Sequence, residues 1–175
     1  SYSIGTGDDI IRSVFIQSDG KLIATGKSMT ANGPAFALVR FTVDGDLDLG
    51  FNTVGQVVIT FGTNDSIGHR VLVQSDGKSF VTGRATISGG YDFLAARFLS
   101  SGSLDTSFAT RGYTQVNVGT SSDIARGLAM DTLGRYYLSG YSWSVDSGYY
   151  ASSVARLNSN GSLDTTFATL GTRIF

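Results

Sequence analysis

The 175 residues contain no cysteine and no glutamate. Without cysteine there are no disulfides and no thiolate metal sites; the compartment stays open on that count, since many secreted proteins also lack cysteine. Without Glu, all 14 acidic residues are Asp, and lysine is limited to Lys21, Lys27 and Lys78. Glu is a good helix former, whereas the short Asp carboxylate bonds nearby backbone amides and favours caps and turns. A helix-rich fold is therefore excluded. Net charge is −1 and no run of basic residues occurs, so no field invites nucleic acid or an anionic membrane. The longest apolar runs are a few residues, too short for a membrane-spanning helix, and no membrane insertion is expected. No signal peptide is visible, and the chain opens at Ser1 rather than methionine, so we expect an excised domain or a processed product.

What is abundant is glycine, at 23 residues, together with Ser, Thr, Tyr, Phe and Val. This is the composition of short strands joined by tight turns. The expected class is all-β, in one domain over 1–175, a length that suffices for a real core.

The sequence also repeats. "GDLDLGFNTVG" (45–55), "GSLDTSFATRG" (102–112) and "GSLDTTFATLG" (161–171) are versions of one stretch. Asp19-Gly20 recurs at Asp76-Gly77 and as Leu133-Gly134, and Gly26 recurs at Gly83 and Gly140, in steps of 57. Arg40, Arg97 and Arg156 follow, the last step being 59, as do Leu47, Leu104, Leu163; Asp48, Asp105, Asp164; and Phe51, Phe108, Phe167. The third copy thus carries two extra residues between Gly140 and Arg156. The repeats run approximately 1–57, 58–114 and 115–175. A period of this size signals a propeller, a solenoid or a pseudo-symmetric barrel.

Four strands are expected per copy: 10–17, 21–27, 35–41 and 55–61 in the first, with the first strand innermost. Their counterparts are 68–74, 78–84, 92–98 and 112–118, then 124–130, 135–141, 151–157 and 171–175. Asp-Gly marks the first hairpin. The Gly-x-Leu-Asp-x-x-Phe corner links the third and fourth strands. There Gly takes positive φ, Leu plugs the core, Asp accepts turn amides and Phe packs under the neighbouring repeat. Four short strands per repeat make a β-propeller blade. Three blades cannot close a ring, which needs about four to eight. The expectation is therefore a six-bladed ring closed by two chains under C₂ symmetry, each lending residues 1–4 to the other's last blade. A closed pseudo-threefold β-trefoil or β-prism is the alternative.

The run "VQSDGK" (73–78), the corner motif and "YDFLAARF" (91–98) resemble the delta-60 repeat, a bacterial repeat grouped under a domain of unknown function. The resemblance covers almost the whole chain and is most specific in the second copy; "DTLGRYY" departs from it in the third. It implies a β-propeller in a secreted or surface-exposed bacterial protein, hence an extracellular or cell-surface location. It supplies no catalytic residues to carry over, and its members usually hold more repeats per chain.

Several residues are candidates for chemistry. His69, the only histidine, aligns with Arg12 and Arg126 at the start of a first strand. With Asp65 or Ser66 it would have to build a hydrolase site, but no nucleophile-elbow motif is present, and it reads better as a ligand contact near the channel mouth. Asp44, Asp46 and Asp48 alternate like the opening of a calcium loop, yet the bidentate Glu that completes such a loop is missing. Asp8-Asp9, Asp65-Ser66 and Ser122-Asp123 read as turn caps, with a polar lip around the channel as the alternative. Arg40, Arg97 and Arg156 read as partners of the recurring Asp in interblade ion pairs. "GYSWSVDSGYYASS" (140–153) departs most from the repeat. It reads as a loop carrying Tyr141, Trp143, Asp146, Tyr149 and Tyr150, on the same face as the links between blades. Aromatic rings beside carboxylates and hydroxyls suit sugar faces or protein hot spots.

Three classes of function follow. The favoured one is a non-catalytic binding module recognising a glycan or a surface protein. The alternatives are a structural or assembly repeat, and a hydrolase or lyase with an Asp/His site at the channel mouth. No cofactor is expected beyond the calcium alternative, and a homodimer is the expected assembly.

Overall fold

The structure is a computed structural model and describes residues 3–63, 65–87 and 89–175. Three antiparallel sheets of four strands follow one another along the chain, and no helix occurs among the described residues. Blade 1 comprises β1 (Ile10–Ile16), β2 (Leu22–Thr30), β3 (Gly33–Phe41) and β4 (Gln56–Ile59). Blade 2 comprises β5 (Ser66–Val73), β6 (Ser79–Ile87), β7 (Gly90–Phe98) and β8 (Tyr113–Val116). Blade 3 comprises β9 (Asp123–Met130), β10 (Tyr136–Ser144), β11 (Tyr149–Leu157) and β12 (Thr172–Ile174). In each sheet the strands pair in chain order. The first strands of successive blades touch one another, so they are innermost, as expected.

The first turn of each blade is the same object. Gln17-Ser18-Asp19-Gly20 closes by Gly20 N–H donating to Gln17 O (3.0 Å), and only the glycine takes positive φ (83°). This is a type I turn followed by a left-handed residue, a longer hairpin than a two-residue Asp-Gly turn. In blade 3 Gly134 N–H donates to Asp131 O (3.0 Å) in the same way, and Asp131 replaces the missing turn Asp by accepting from the Leu133 and Arg135 amides. The departure "DTLGRYY" therefore keeps the turn.

Gly26, Gly83 and Gly140 recur because of a bulge. The innermost strand of each blade slips register at Arg12, at His69 and beside Arg126. The extra residue drives the carbonyl of Ile10, Ile67 or Ile124 against the neighbouring strand, where a Cβ on the glycine would overlap it. Side-chain-free backbone is what lets the bulge form.

The core lies between blades, not within them. Consecutive strand residues point to opposite faces, so Val81 joins blade 1 while Phe80 joins blade 3. One cluster places Ile23, Phe36, Leu38 and Phe51 of blade 1 against Val81, Leu94, Ala96 and Phe98 of blade 2. The other places Phe80, Phe93 and Phe108 against Tyr136, Leu138 and Leu157. Phe36 stacks on Phe98 with ring centroids 5.5 Å apart, and Phe80 on Tyr136 at 3.7 Å. Among the described residues no cluster joins blades 3 and 1. A closed trefoil or prism would need one, so the pseudo-threefold alternative is set aside in favour of an open arc of propeller blades.

The corner works as expected in three of its parts. Gly45, Gly102 and Gly161 have φ of 88–93°. Asp48, Asp105 and Asp164 each accept an amide two residues on. Phe51 and Phe108 are fully buried in the interblade clusters. The arginine assignment needs correction. Arg40 pairs with Asp48, Arg97 with Asp105 and Arg156 with Asp164 within one blade, Nε to Oδ2 at 2.7–2.8 Å. The corner folds Asp back beside its own arginine, through Asp48 N–H to Arg40 O (2.9 Å) and its two counterparts. The reach between blades comes from another nitrogen of the same guanidinium. Arg40 Nη1 donates to Ser100 O (2.7 Å) and Arg97 Nη1 to Ser159 O (2.9 Å).

Candidate functional site

The stretch 140–153 is not a loop. β10 and β11 continue through it in register, Gly140 opposite Ser153 and Ser144 opposite Tyr149, and only residues 145–148 turn. In blade 1 the corresponding connection turns with two residues after Thr30. The two extra residues of the third copy therefore sit wholly in this turn. A loop was expected because the polar and aromatic side chains mask the strand alternation.

The strand geometry puts Tyr141, Trp143 and Tyr150 on one face, since Trp143 opposes Tyr150 and Tyr141 lies two residues before Trp143. The Tyr150 ring stands edge-on to both, 5.2 Å from Tyr141 and 5.3 Å from Trp143, each at 82°. Arg126 Nη2 donates to the Tyr141 hydroxyl at 3.1 Å. Tyr149 and Asp146 are exposed at the hairpin tip. Behind the rings, Ser142 and Ser153 are buried and share a hydrogen bond of 2.8 Å.

A second cluster adjoins this one in blade 2. Asp65 Oδ2 accepts from Arg84 Nη2 (2.8 Å) and from the Tyr91 hydroxyl (3.1 Å), and the Arg84 guanidinium lies 3.9 Å from the Tyr91 ring centre. Burial, with the charges of Asp65 and Tyr150 adding to it, holds the Tyr91 hydroxyl protonated. Beside it Asp92 is half-buried, and burial together with the Asp123 charge raises its pKa above the ordinary carboxylate value. Gly90 meets the carbonyl of Ser121, while Ser122 O accepts from Trp143 N–H (3.0 Å), so the two hairpins join through the 119–122 link. Sequence reasoning missed Arg84, Tyr91 and Asp92. The signal was the step of 59 from Tyr91 to Tyr150, together with Arg84 lying 57 before Tyr141.

The remaining candidates fall elsewhere. His69 is not a ligand contact. It lies on β5, 2% exposed, with Nδ1 2.8 Å from Ala125 O. Glycine on one side of it and the bulge turn its ring inward, toward blade 3. Arg12, its counterpart in blade 1, is exposed on β1 and makes no contact with the aromatic cluster. Asp9, Ser66 and Asp123 cap the link between blades, accepting amides from Ile4, Phe61 and Val118 respectively. That is the turn-cap reading rather than a polar lip. Asp48 is turned onto Lys21 and Arg40, away from the alternation a calcium loop requires. Among the described residues no three Asp or His side chains gather as a metal-binding group.

A concavity also lies away from the aromatic cluster. A cleft of about 640 Å³ opens at the other end of the strands, lined by Phe15, Gln17, Arg40, Val73 and Gln74. The hairpin face is the stronger candidate, because ring faces stand there beside the Arg126 guanidinium, whereas the cleft is a seam between two turns.

A family model described as a domain of unknown function (DUF5122) beta-propeller matches the chain three times, over residues 17–51, 74–108 and 134–167. Each match runs from the first turn of a blade to its corner, and the described strands of all three repeats fit that architecture. No curated protein matches the chain.

Proposed function

Since the chain belongs to the family of β-propeller domains described as a domain of unknown function (DUF5122), we propose that it acts as a non-catalytic binding module for a glycan or a surface protein. The observation that carries the reading is the Tyr141–Tyr150–Trp143 cluster, built on paired strands, with Tyr150 49% exposed. Rings fixed by strand pairing lose little entropy on binding, and their faces accept the C–H side of a sugar while Tyr141 and Arg126 offer partners for hydroxyls. The setting implied by the delta-60 resemblance, a secreted or surface-exposed bacterial protein, accords with this reading.

The channel-mouth enzyme reading loses its parts. The His69 ring is buried and bonded to a carbonyl, and Asp65 is engaged by Arg84 and Tyr91. A structural repeat remains the rival. A glycan array followed by calorimetry separates the two. Binding that is lost in Trp143→Ala, with the thermal midpoint retained, supports the module. Binding that survives Trp143→Ala removes this site, and the absence of any binding in the wild type removes the reading.

A further inference from the structure

The two blade interfaces within the chain are built from one set of complementary parts. The donor blade supplies Arg Nη1, an amide and a Phe ring; the acceptor blade supplies two consecutive carbonyls and a glycine. At the first interface Arg40 Nη1 meets Ser100 O (2.7 Å), Asn52 N–H meets Ser101 O (2.7 Å), and the Phe51 ring lies against Gly102. At the second, Arg97 Nη1 meets Ser159 O (2.9 Å), Ala109 N–H meets Asn160 O (2.8 Å), and the Phe108 ring lies against Gly161. The glycine is required: a Cβ on Gly102 would stand 3.1 Å from the Phe51 ring, and one on Gly161 2.7 Å from Phe108.

The outer faces of the arc carry the same parts without their counterparts. Blade 3 ends in the donor set. Arg156 keeps its Asp164 pair and also meets Tyr137 and Thr166 of its own blade, but among the described residues no carbonyl of another blade accepts from it, Ala168 N–H has no acceptor, and Phe167 is half-buried where Phe51 and Phe108 are fully buried. Blade 1 begins with the acceptor set. The carbonyls of Val43 and Asp44 accept nothing from the described residues, and nothing stands within 4 Å of a Cβ on Gly45. The apolar surface follows suit: Val14 is 58% exposed, whereas its blade 2 counterpart Val71 is 7% exposed.

We propose that blade 3 of this chain docks on blade 1 of a second copy, Arg156 Nη1 to Val43 O, Ala168 N–H to Asp44 O, and Phe167 over Gly45. The contact is heterologous, and such contacts either close into rings or run on as filaments. Whole three-blade chains fill a ring of about four to eight blades in one way, as two chains and six blades. Closure therefore stops at the dimer. It requires no binding role at the hairpins.

The test is the solution mass of the 175-residue chain by light scattering after size exclusion. The wild type is expected at twice 18.4 kDa. Gly45→Asn places a side chain where the Phe167 ring must lie, and Asn tolerates positive φ, so the variant is expected folded at 18.4 kDa. Phe167→Ala weakens the same contact from the other blade and is expected to shift the mass in the same direction. Gly33→Asn, also at positive φ with open space but on the β2–β3 hairpin, is expected to remain dimeric. A monomeric wild type overturns the proposal, and so does a dimer that Gly45→Asn leaves intact.

Discussion

His69 Nδ1 lies 2.8 Å from the carbonyl oxygen of Ala125, so the single histidine ties β5 to β9 across the second blade interface. A carbonyl only accepts, so Nδ1 carries the proton, and burial keeps the ring neutral. Burial is the main cause of a pKa lowered to about 4 from the ordinary 6.5, and the positive charges of Arg126, Arg12 and Arg84 add to it.

This geometry predicts an acid-sensitive step. The unfolded ring takes up a proton below 6.5, the folded ring only near 4. The contribution of His69 is therefore complete above 6.5, falls as pH drops through that window and is lost below about 4. The full loss is on the order of 3 kcal/mol. Urea midpoints measured against pH should decline across the window in the wild type and stay flatter in His69→Gln, which cannot titrate. Identical slopes in the two proteins would refute this role for His69.

Arg97 serves two blades at once, pairing with Asp105 (2.8 Å) in its own and donating to Ser159 O (2.9 Å) in the next. Both members of the pair are buried. Arg97→Ala leaves the buried Asp105 carboxylate with Lys78, 3.9 Å away, as its only cation among the described residues and should cost about 3 kcal/mol. Arg97→Lys keeps the charge but loses the fork that faces two acceptors in fixed directions. It should recover only part of that stability. Chemical denaturation of the three proteins checks the order; a lysine variant as stable as the wild type would show that charge alone matters.

How far the sequence disclosed this molecule depended on whether a signal was local. Strands announced themselves through the turn Asp19-Gly20 and the repeated corner, because the residues that make a turn are adjacent in the chain. The run 140–153 did not, because its strand character rests on pairs such as Trp143 with Tyr150, which only the folded hairpin brings together. The period correctly flagged Arg97 and Asp105 as partners but not that they share a blade, since the corner that folds Asp105 back is a three-dimensional feature. His69 looked like a mouth residue because it stands at the start of a first strand, aligned with Arg12 and Arg126; its inward turn depends on the bulge. Arg84 on β6 and Tyr91 on β7 come from different strands and showed only as coincident steps of the period, and Asp92 carried no such signal.

Gly83 tests the bulge. A Cβ there would overlap the Ile67 carbonyl, which is backbone and cannot swing aside. Gly83→Ala, an exchange that ordinarily gains about 0.5–1 kcal/mol in a strand, should here be destabilising, in the range of severe core lesions. Gly33→Ala is the control. It has positive φ (104°) but open space around it, so only backbone strain of about 1–2 kcal/mol applies. Equal losses in the two variants would mean that the bulge does not constrain this position.

Asp92 is half-buried beside Asp123, and no hydrogen-bond partner for its carboxyl is present among the described residues. Burial first, and the Asp123 charge second, raise its pKa above the ordinary 3.8. The sign is opposite to that of His69. Its contribution to stability is complete below the ordinary value and is lost as pH rises through the folded value, so at neutral pH the ionised group opposes folding. Asp92→Asn should therefore stabilise the protein at neutral pH, within the about 0.5–2 kcal/mol typical of single optimising exchanges. The gain should shrink as pH falls toward the carboxylate range, about 4. Thermal midpoints at several pH values check this, and a variant no more stable than the wild type at neutral pH would contradict it. The same variant also bears on function. A carboxylate kept at a cost next to Tyr91 fits the stability that binding sites give up for activity. If Asp92→Asn gains stability and loses glycan affinity together, the acid takes part in binding; gained stability with affinity unchanged leaves it outside the site that Tyr141, Trp143 and Tyr150 form on blade 3.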